Sequence, residues 1–78
     1  VVKLERLYEL RGRIDEIDKQ IIELLEERIR VAKEIGKIKK ELNLPIKDEE
    51  REREVLKRAE RFGEIFEKIV EVCRDEQL

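Results

Sequence analysis

Histidine, serine, threonine, methionine and tryptophan are all missing from the 78 residues of this chain. Their absence excludes hydroxyl nucleophiles, imidazole bases and histidine-based metal sites. The single cysteine, Cys73, has no disulfide partner and cannot by itself build a multi-cysteine metal site. Any chemistry must then come from Arg, Lys, Asp, Glu, Gln, one thiol and the backbone, and neither a metal nor an organic cofactor is expected. Aromatic residues are nearly absent too: one tyrosine and two phenylalanines offer no stacking platform for nucleic-acid bases. No apolar run is long enough to span a bilayer, and no charged-then-apolar leader resembles a signal peptide, so a cytoplasmic protein is expected.

What the chain has in abundance is charge. Asp, Glu, Lys and Arg make up 51% of it, yet the formal net charge is only -2. Acids and bases are interleaved, as in EERIRVAKE and DEEREREVLKR. That pattern reads as solvated helix faces carrying i,i+4 ion pairs, and it makes neither nucleic acid nor a membrane surface an expected partner. Abundant Lys, Glu, Arg and Ile with almost no Asn or Gln is a thermophilic composition. The length allows one domain, residues 1–78, that buries only about 60–65% of its unfolded surface, so oligomerisation is an expected supplement.

Leu7, Leu10, Ile14, Ile17, Ile21, Leu24, Val31, Ile35, Ile38 and Leu42 recur in steps of three and four, with Arg28 in the slot between Leu24 and Val31. This is a heptad seam along one long helix, predicted over Val2–Leu42. Such a helix is roughly 60 Å long, more than a lone chain of this size can cover, so the seam needs a partner. Gly12 and Gly36 lie inside it at a cost of about 1 kcal/mol each against alanine, which points to close packing or a ligand at those positions. Asn43 to Lys47 break the pattern around Pro45. Asp48 is placed as the N-cap of a second helix ending near Phe62, a tight turn is expected at Gly63, and a third helix is predicted over Glu64–Gln77. The predicted fold is all-α: one long helix and two short ones, forming an intertwined homodimer through the long helix.

Each predicted helix carries polar groups inside its apolar face. Arg28 and Lys39 lie within about 20° of one another on the first helix. Glu52 sits in the stripe of Val55, Leu56, Ala59 and Phe62, one turn after Asp48, and Gln77 extends the line of Phe66, Ile69, Val70 and Cys73. Singly, these have structural explanations: Arg28 as a register device, Lys39 as a snorkelling rim residue, Asp48 as a cap, Glu52 in a core ion pair with Arg28, Gln77 as a frayed end, and Cys73 as a small core hydrophobe. Jointly, two cations, a carboxylate and an amide outline a polar pocket for a small anion. Arg11, about 25 Å from Arg28 along the helix, can join that pocket only from a second copy paired antiparallel near Ile21 and Ile22; within one chain it reads as an exposed partner of Asp15.

The ordered set Arg11, Arg28, Lys39, Asp48, Arg51, Glu52 and Gln77, with the segments VAKEIGKIK and Pro45-Ile46-Lys47-Asp48, resembles the all-helical (AroQ-class) chorismate mutases over about Leu4 to Gln77. The resemblance implies an isomerase that rearranges chorismate, a small dicarboxylate, to prephenate in two sites, each shared between the subunits of an intertwined dimer. This pericyclic reaction of aromatic amino acid biosynthesis needs restraint of the substrate and donors at its ether oxygen, not a nucleophile. By resemblance, Arg28 and the other subunit's Arg11 hold the two carboxylates, Lys39 bonds a carboxylate and the ether oxygen, and Gln77 reaches the ether oxygen from the far side. Glu52 takes the ring hydroxyl with the Asp48 backbone, Arg51 supports that corner, and Val31, Ile35, Val55 and Ile69 form apolar walls. Two departures stand out. The connection around Gly63 is about ten residues shorter than is usual in the family, and Cys73 stands beside the substrate carboxylate where relatives often have serine, a better donor than a thiol. An isochorismate pyruvate lyase, which shares this fold and pocket, and a non-catalytic helical dimerisation module are the alternative readings.

Overall fold

The computed structural model describes residues 2–78, and its elements are helical throughout. Helix α1 spans Val2–Glu41, α2 spans Glu49–Ala59, a 3₁₀ turn covers Glu60–Phe62, and α3 spans Gly63–Asp75. The molecule measures 62 × 22 × 14 Å, because α1 runs its full length while α2 and α3 fold back on one end.

The end of α1 is closed by local chemistry. Asn43 adopts a left-handed conformation with φ 56°. Its N–H donates to the Lys40 carbonyl at 3.3 Å, and the Leu44 N–H donates to the Lys39 carbonyl at 2.8 Å. These are the two bonds of a Schellman motif, and asparagine tolerates the left-handed position they require. The chain then leaves the helix through Pro45 and bends at Ile46 before Asp48, whose Oδ1 accepts from the Arg51 N–H at 3.0 Å and caps α2 as expected.

The break between the short helices differs from the sequence reading. Gly63 is not the turn: its φ of -52° and ψ of -46° are helical, and it is the first residue of α3. The reversal falls at Glu60, with φ 53° and ψ -120°, where the N–H donates to the Lys57 carbonyl as α2 tightens into the 3₁₀ turn. Glycine tolerates a break without requiring one. Helix α3 likewise ends at Asp75 rather than Gln77, so Gln77 lies in a final turn, its N–H donating to the Arg74 carbonyl.

The buried apolar side chains are all small: Ala32, Val55, Ala59 and Cys73. Both α1 and α2 pack on α3, but no Cα of α1 comes within 8 Å of a Cα of α2 among the described residues. Above that contact the seam of α1 stands open, with Leu7 41%, Ile14 56% and Leu24 64% exposed. The buried core is thus small beside the apolar stripe that α1 leaves exposed.

Two substitutions distinguish Glu60 from Gly63 as the break. No atom lies within 4 Å of a Cβ built on Gly63, and its φ is helical, so Gly63→Ala is expected to stabilise by about 0.4–1 kcal/mol. Glu60→Gly relieves the left-handed strain and raises the melting temperature as well. A Gly63→Ala variant that melts lower than the parent would place the break back at Gly63.

Candidate active site

The gap between α1 and α2 is a cavity of about 400 Å³, with α3 as its third wall. From α1 it receives Arg28, Val31, Ala32, Ile35 and Lys39; from the connection and α2, Ile46, Asp48, Arg51, Glu52 and Val55; from α3 and the turn beyond it, Val70, Cys73, Arg74 and Gln77. Of the residues singled out in the sequence, Arg28, Lys39, Asp48, Arg51, Glu52, Cys73 and Gln77 thus lie round one space. Ile69 does not line it; its neighbour Val70 does. Arg11 is exposed far up α1, its guanidinium carbon 5.9 Å from the centroid of the Tyr8 ring, and is not part of the cavity within one chain.

Lys39 is held rather than loose. Its Nζ donates to the Ile46 carbonyl, brought within reach by the cap of α1, and to Gln77 Oε1 at 2.8 Å. Both acceptors are neutral, so the ammonium charge is oriented but not compensated. The amide oxygen of Gln77 faces Lys39, which leaves its NH₂ donors for other partners. Gly36 makes this arrangement possible. A Cβ there would sit 2.9 Å from both the Cα and the carbonyl oxygen of Gln77, so the backbone of α1 must be bare where the end of the chain crosses it. Gly12, the other glycine within α1, has nothing within 4 Å in the single chain.

The carboxylate of the cavity is already paired, and not as the structural reading of Arg28 requires. Glu52 receives Arg74 Nη1 at 2.8 Å on Oε1 and 3.0 Å on Oε2. This hydrogen bond with Glu52 holds the Arg74 guanidinium above its ordinary value, against the desolvation that lowers it. Arg28, half-buried on the opposite wall, has no ion-pair partner among the described residues. Arg51 pairs along its own helix with Glu54 at 3.1 Å, and Asp48 is engaged as the cap of α2. The lining holds four cationic side chains, Arg28, Lys39, Arg51 and Arg74, against two anionic ones, Asp48 and Glu52, a surplus of two positive charges. Cys73 is buried among these groups, only 4% exposed, and behaves as a small core residue that also touches the cavity.

Arg74 is the site residue that the sequence reading missed. It follows Val70 by four positions and precedes Gln77 by three, so the helical spacing already put it on the same face. Among the described residues, no group of three or more His, Cys, Asp or Glu is placed to hold a metal, and no helix is long and apolar enough to cross a membrane.

Comparison with known proteins places this geometry. The profile of the family described as chorismate mutase type II matches residues 10–78. The chain is 43% identical over 72 residues to the chorismate mutase of Methanocaldococcus jannaschii, covering 92% of this chain and 63% of that protein. It is 44% identical over 79 residues to the bifunctional chorismate mutase/prephenate dehydratase of Aquifex aeolicus, covering 92% of this chain and 22% of that protein. The chain thus spans less than two thirds of the length of the curated relatives it matches. A solved structure of a conserved hypothetical protein from Pyrococcus furiosus superposes with a TM-score of 0.91 at 62% identity, over 92% of this chain and 95% of that one.

The Gly36 contact yields a direct test. On helix propensity alone, Gly36→Ala would stabilise α1 by about 1 kcal/mol. The clash with the Gln77 backbone reverses the sign, so the variant is expected to melt below the parent in a circular-dichroism scan; a higher melting temperature would show that the chain end does not cross α1 at Gly36.

Proposed function

The chain belongs to the type II chorismate mutase family, and from that premise we propose that it rearranges chorismate to prephenate in sites shared between two copies. The observation that carries the reading is the unbalanced charge of the cavity. Arg28 has no carboxylate partner, Lys39 is bonded only to neutral oxygens, and the nearby Glu52 is taken by Arg74. A half-buried guanidinium with no anion is costly, and a dicarboxylate substrate supplies the missing charge. A cavity of about 400 Å³ suits a ligand of that size.

In this mechanism Arg28 takes one carboxylate through the bidentate geometry that guanidinium favours, and Arg11 of the other copy takes the second. Substrate entering the cavity meets Lys39, whose ammonium turns toward a carboxylate and the ether oxygen, while the NH₂ group of Gln77 donates to that oxygen from the other side. Donors already oriented where negative charge grows lower the barrier without reorganising during the reaction. Apolar walls from Val31, Ile35 and Val55 press the enolpyruvyl arm into its reactive conformer, a contribution of restraint rather than of covalent chemistry. Glu52 accepts the ring hydroxyl beside Asp48, and Arg51 supports that corner. Cys73 contributes packing beside the bound carboxylate. No cofactor takes part, residues 1–78 form a single domain that contributes to each shared site, and neither nucleic acid nor membrane is involved.

The exposed seam supports a homodimer. Antiparallel pairing of two α1 helices about Ile21 and Ile22 covers the seam's apolar residues and carries each Arg11 toward the other copy's cavity.

Following chorismate loss and prephenate formation with the purified protein tests the activity. Conversion is expected, with Arg28→Ala and Lys39→Ala each lowering kcat/KM by about 10²-fold or more while the helical signal persists. No prephenate from chorismate, with salicylate and pyruvate released from isochorismate instead, would assign the lyase activity. Under the dimerisation-module reading, Arg28→Met is neutral or stabilising and there is no chorismate binding to lose.

The shared site has its own test. Inactive Arg11→Ala and Arg28→Ala dimers are mixed under conditions that exchange subunits. Hybrids retain one intact site, so activity returns toward a fraction of the parent's; none returning despite demonstrated exchange would place Arg11 outside the site.

A further inference from the structure

Glu52 and Arg74 stand on different helices, 22 residues apart, and meet on the cavity wall with their side chains 21% and 28% exposed. One guanidinium nitrogen spans both carboxylate oxygens at 2.8 and 3.0 Å. We propose that Arg74 is a positioning residue that acts through Glu52, holding its carboxylate on the wall as an acceptor for the ligand's hydroxyl and cancelling its charge toward an incoming dianion. The inference rests on the chorismate reading of the site and adds a residue to it.

Two physical arguments carry it. A carboxylate offers about four lone-pair directions, and a single bridging nitrogen occupies only part of them, so Glu52 can accept a hydroxyl without releasing Arg74. The second argument is electrostatic. An unpaired carboxylate on the wall of a cavity built for a dicarboxylate would repel its ligand in a partly dehydrated setting, where charge interactions exceed their value in water. Pairing with Arg74 leaves Glu52 as an acceptor with little net charge and leaves the cations of Arg28 and Lys39 uncontested. The raised guanidinium of Arg74 has the same origin, its hydrogen bond to Glu52. No such arrangement follows from Arg51, which pairs with Glu54 along its own helix.

The pair also ties α2 to α3, so the test must separate positioning from stability. Steady-state kinetics on chorismate are compared for the parent, Arg74→Gln, Arg74→Lys, Glu52→Gln and the double variant Glu52→Gln/Arg74→Gln, each well below its own melting temperature. Hydroxyl binding persists from ground state to transition state, so its loss falls on KM. Arg74→Gln is expected to raise KM by about 10–100-fold with kcat changed by less than about threefold, and Arg74→Lys to recover part of the loss. In the Glu52→Gln background, where there is no charge to position, the same Arg74→Gln change is expected to cost less than about threefold. Parent-like kinetics for Arg74→Gln would make the pair a structural tie only. An equal cost in both backgrounds would mean that Arg74 meets the ligand directly. If Arg74→Gln alone does not fold, the double variant, which strands no carboxylate, is compared with Glu52→Gln: equal KM supports the inference and a more than tenfold rise overturns it. A parent that leaves chorismate unconverted overturns the site reading and this inference together, whereas an active parent with an indifferent Arg74 overturns the inference alone.

Discussion

Gly36 leaves the backbone of α1 bare where the main chain of Gln77 crosses it at a distance no Cβ could share. From this approach the rest of the arrangement follows. With α3 seated on α1, and α2 seated on α3 through residues as small as Ala59 and Cys73, α1 and α2 are held apart. The space between them is lined rather than filled, with apolar side chains such as Val31, Ile35 and Val55 alternating with charged ones such as Arg28, Lys39 and Glu52. A larger residue at position 36 would lift the end of the chain away and with it the amide that Lys39 holds.

The charges round that space form a hierarchy. Local demands are met first: Asp48 caps α2, and Arg51 pairs with Glu54 one turn along the same helix. The tertiary pair of Glu52 and Arg74 comes next, joining two helices. Lys39 is oriented by neutral acceptors, and Arg28 is left without an anion among the described residues. Ion pairs on exposed surfaces contribute little to stability, so those along the outer faces, such as Arg6–Glu9 and Lys68–Glu71, do not decide the fold. The uncompensated cations inside are the ones that call for a ligand, and the chemistry proposed for them needs no group that this composition lacks.

Dimensions make the same point from outside. A 40-residue helix with its apolar seam exposed, over a core of four small residues, is half of a packing problem. The other half is supplied by a second copy in the proposed assembly, and the same pairing would bring in Arg11, which stands clear of its own chain's cavity. Stability and site completion would then depend on one event, association of the long helices.

The sequence by itself determined what short-range periodicity and local hydrogen bonding determine. The heptad spacing marked α1 almost to the residue, and Asp48 announced the start of α2, because a seam and a cap are properties of neighbouring residues. The convergence of Arg28, Lys39, Glu52 and Gln77 on one space was legible because each interrupts an apolar stripe that must face inward. Tertiary structure decided the rest. It put the reversal at Glu60 rather than Gly63, since a glycine permits a turn while packing of α2 on α3 chooses its position. It gave Glu52 to Arg74 instead of Arg28, a choice set by the separation of α1 from α2, which no spacing along the chain encodes. It also explained Gly36 through a contact with Gln77, 41 residues away in sequence but 2.9 Å from where a methyl group would stand.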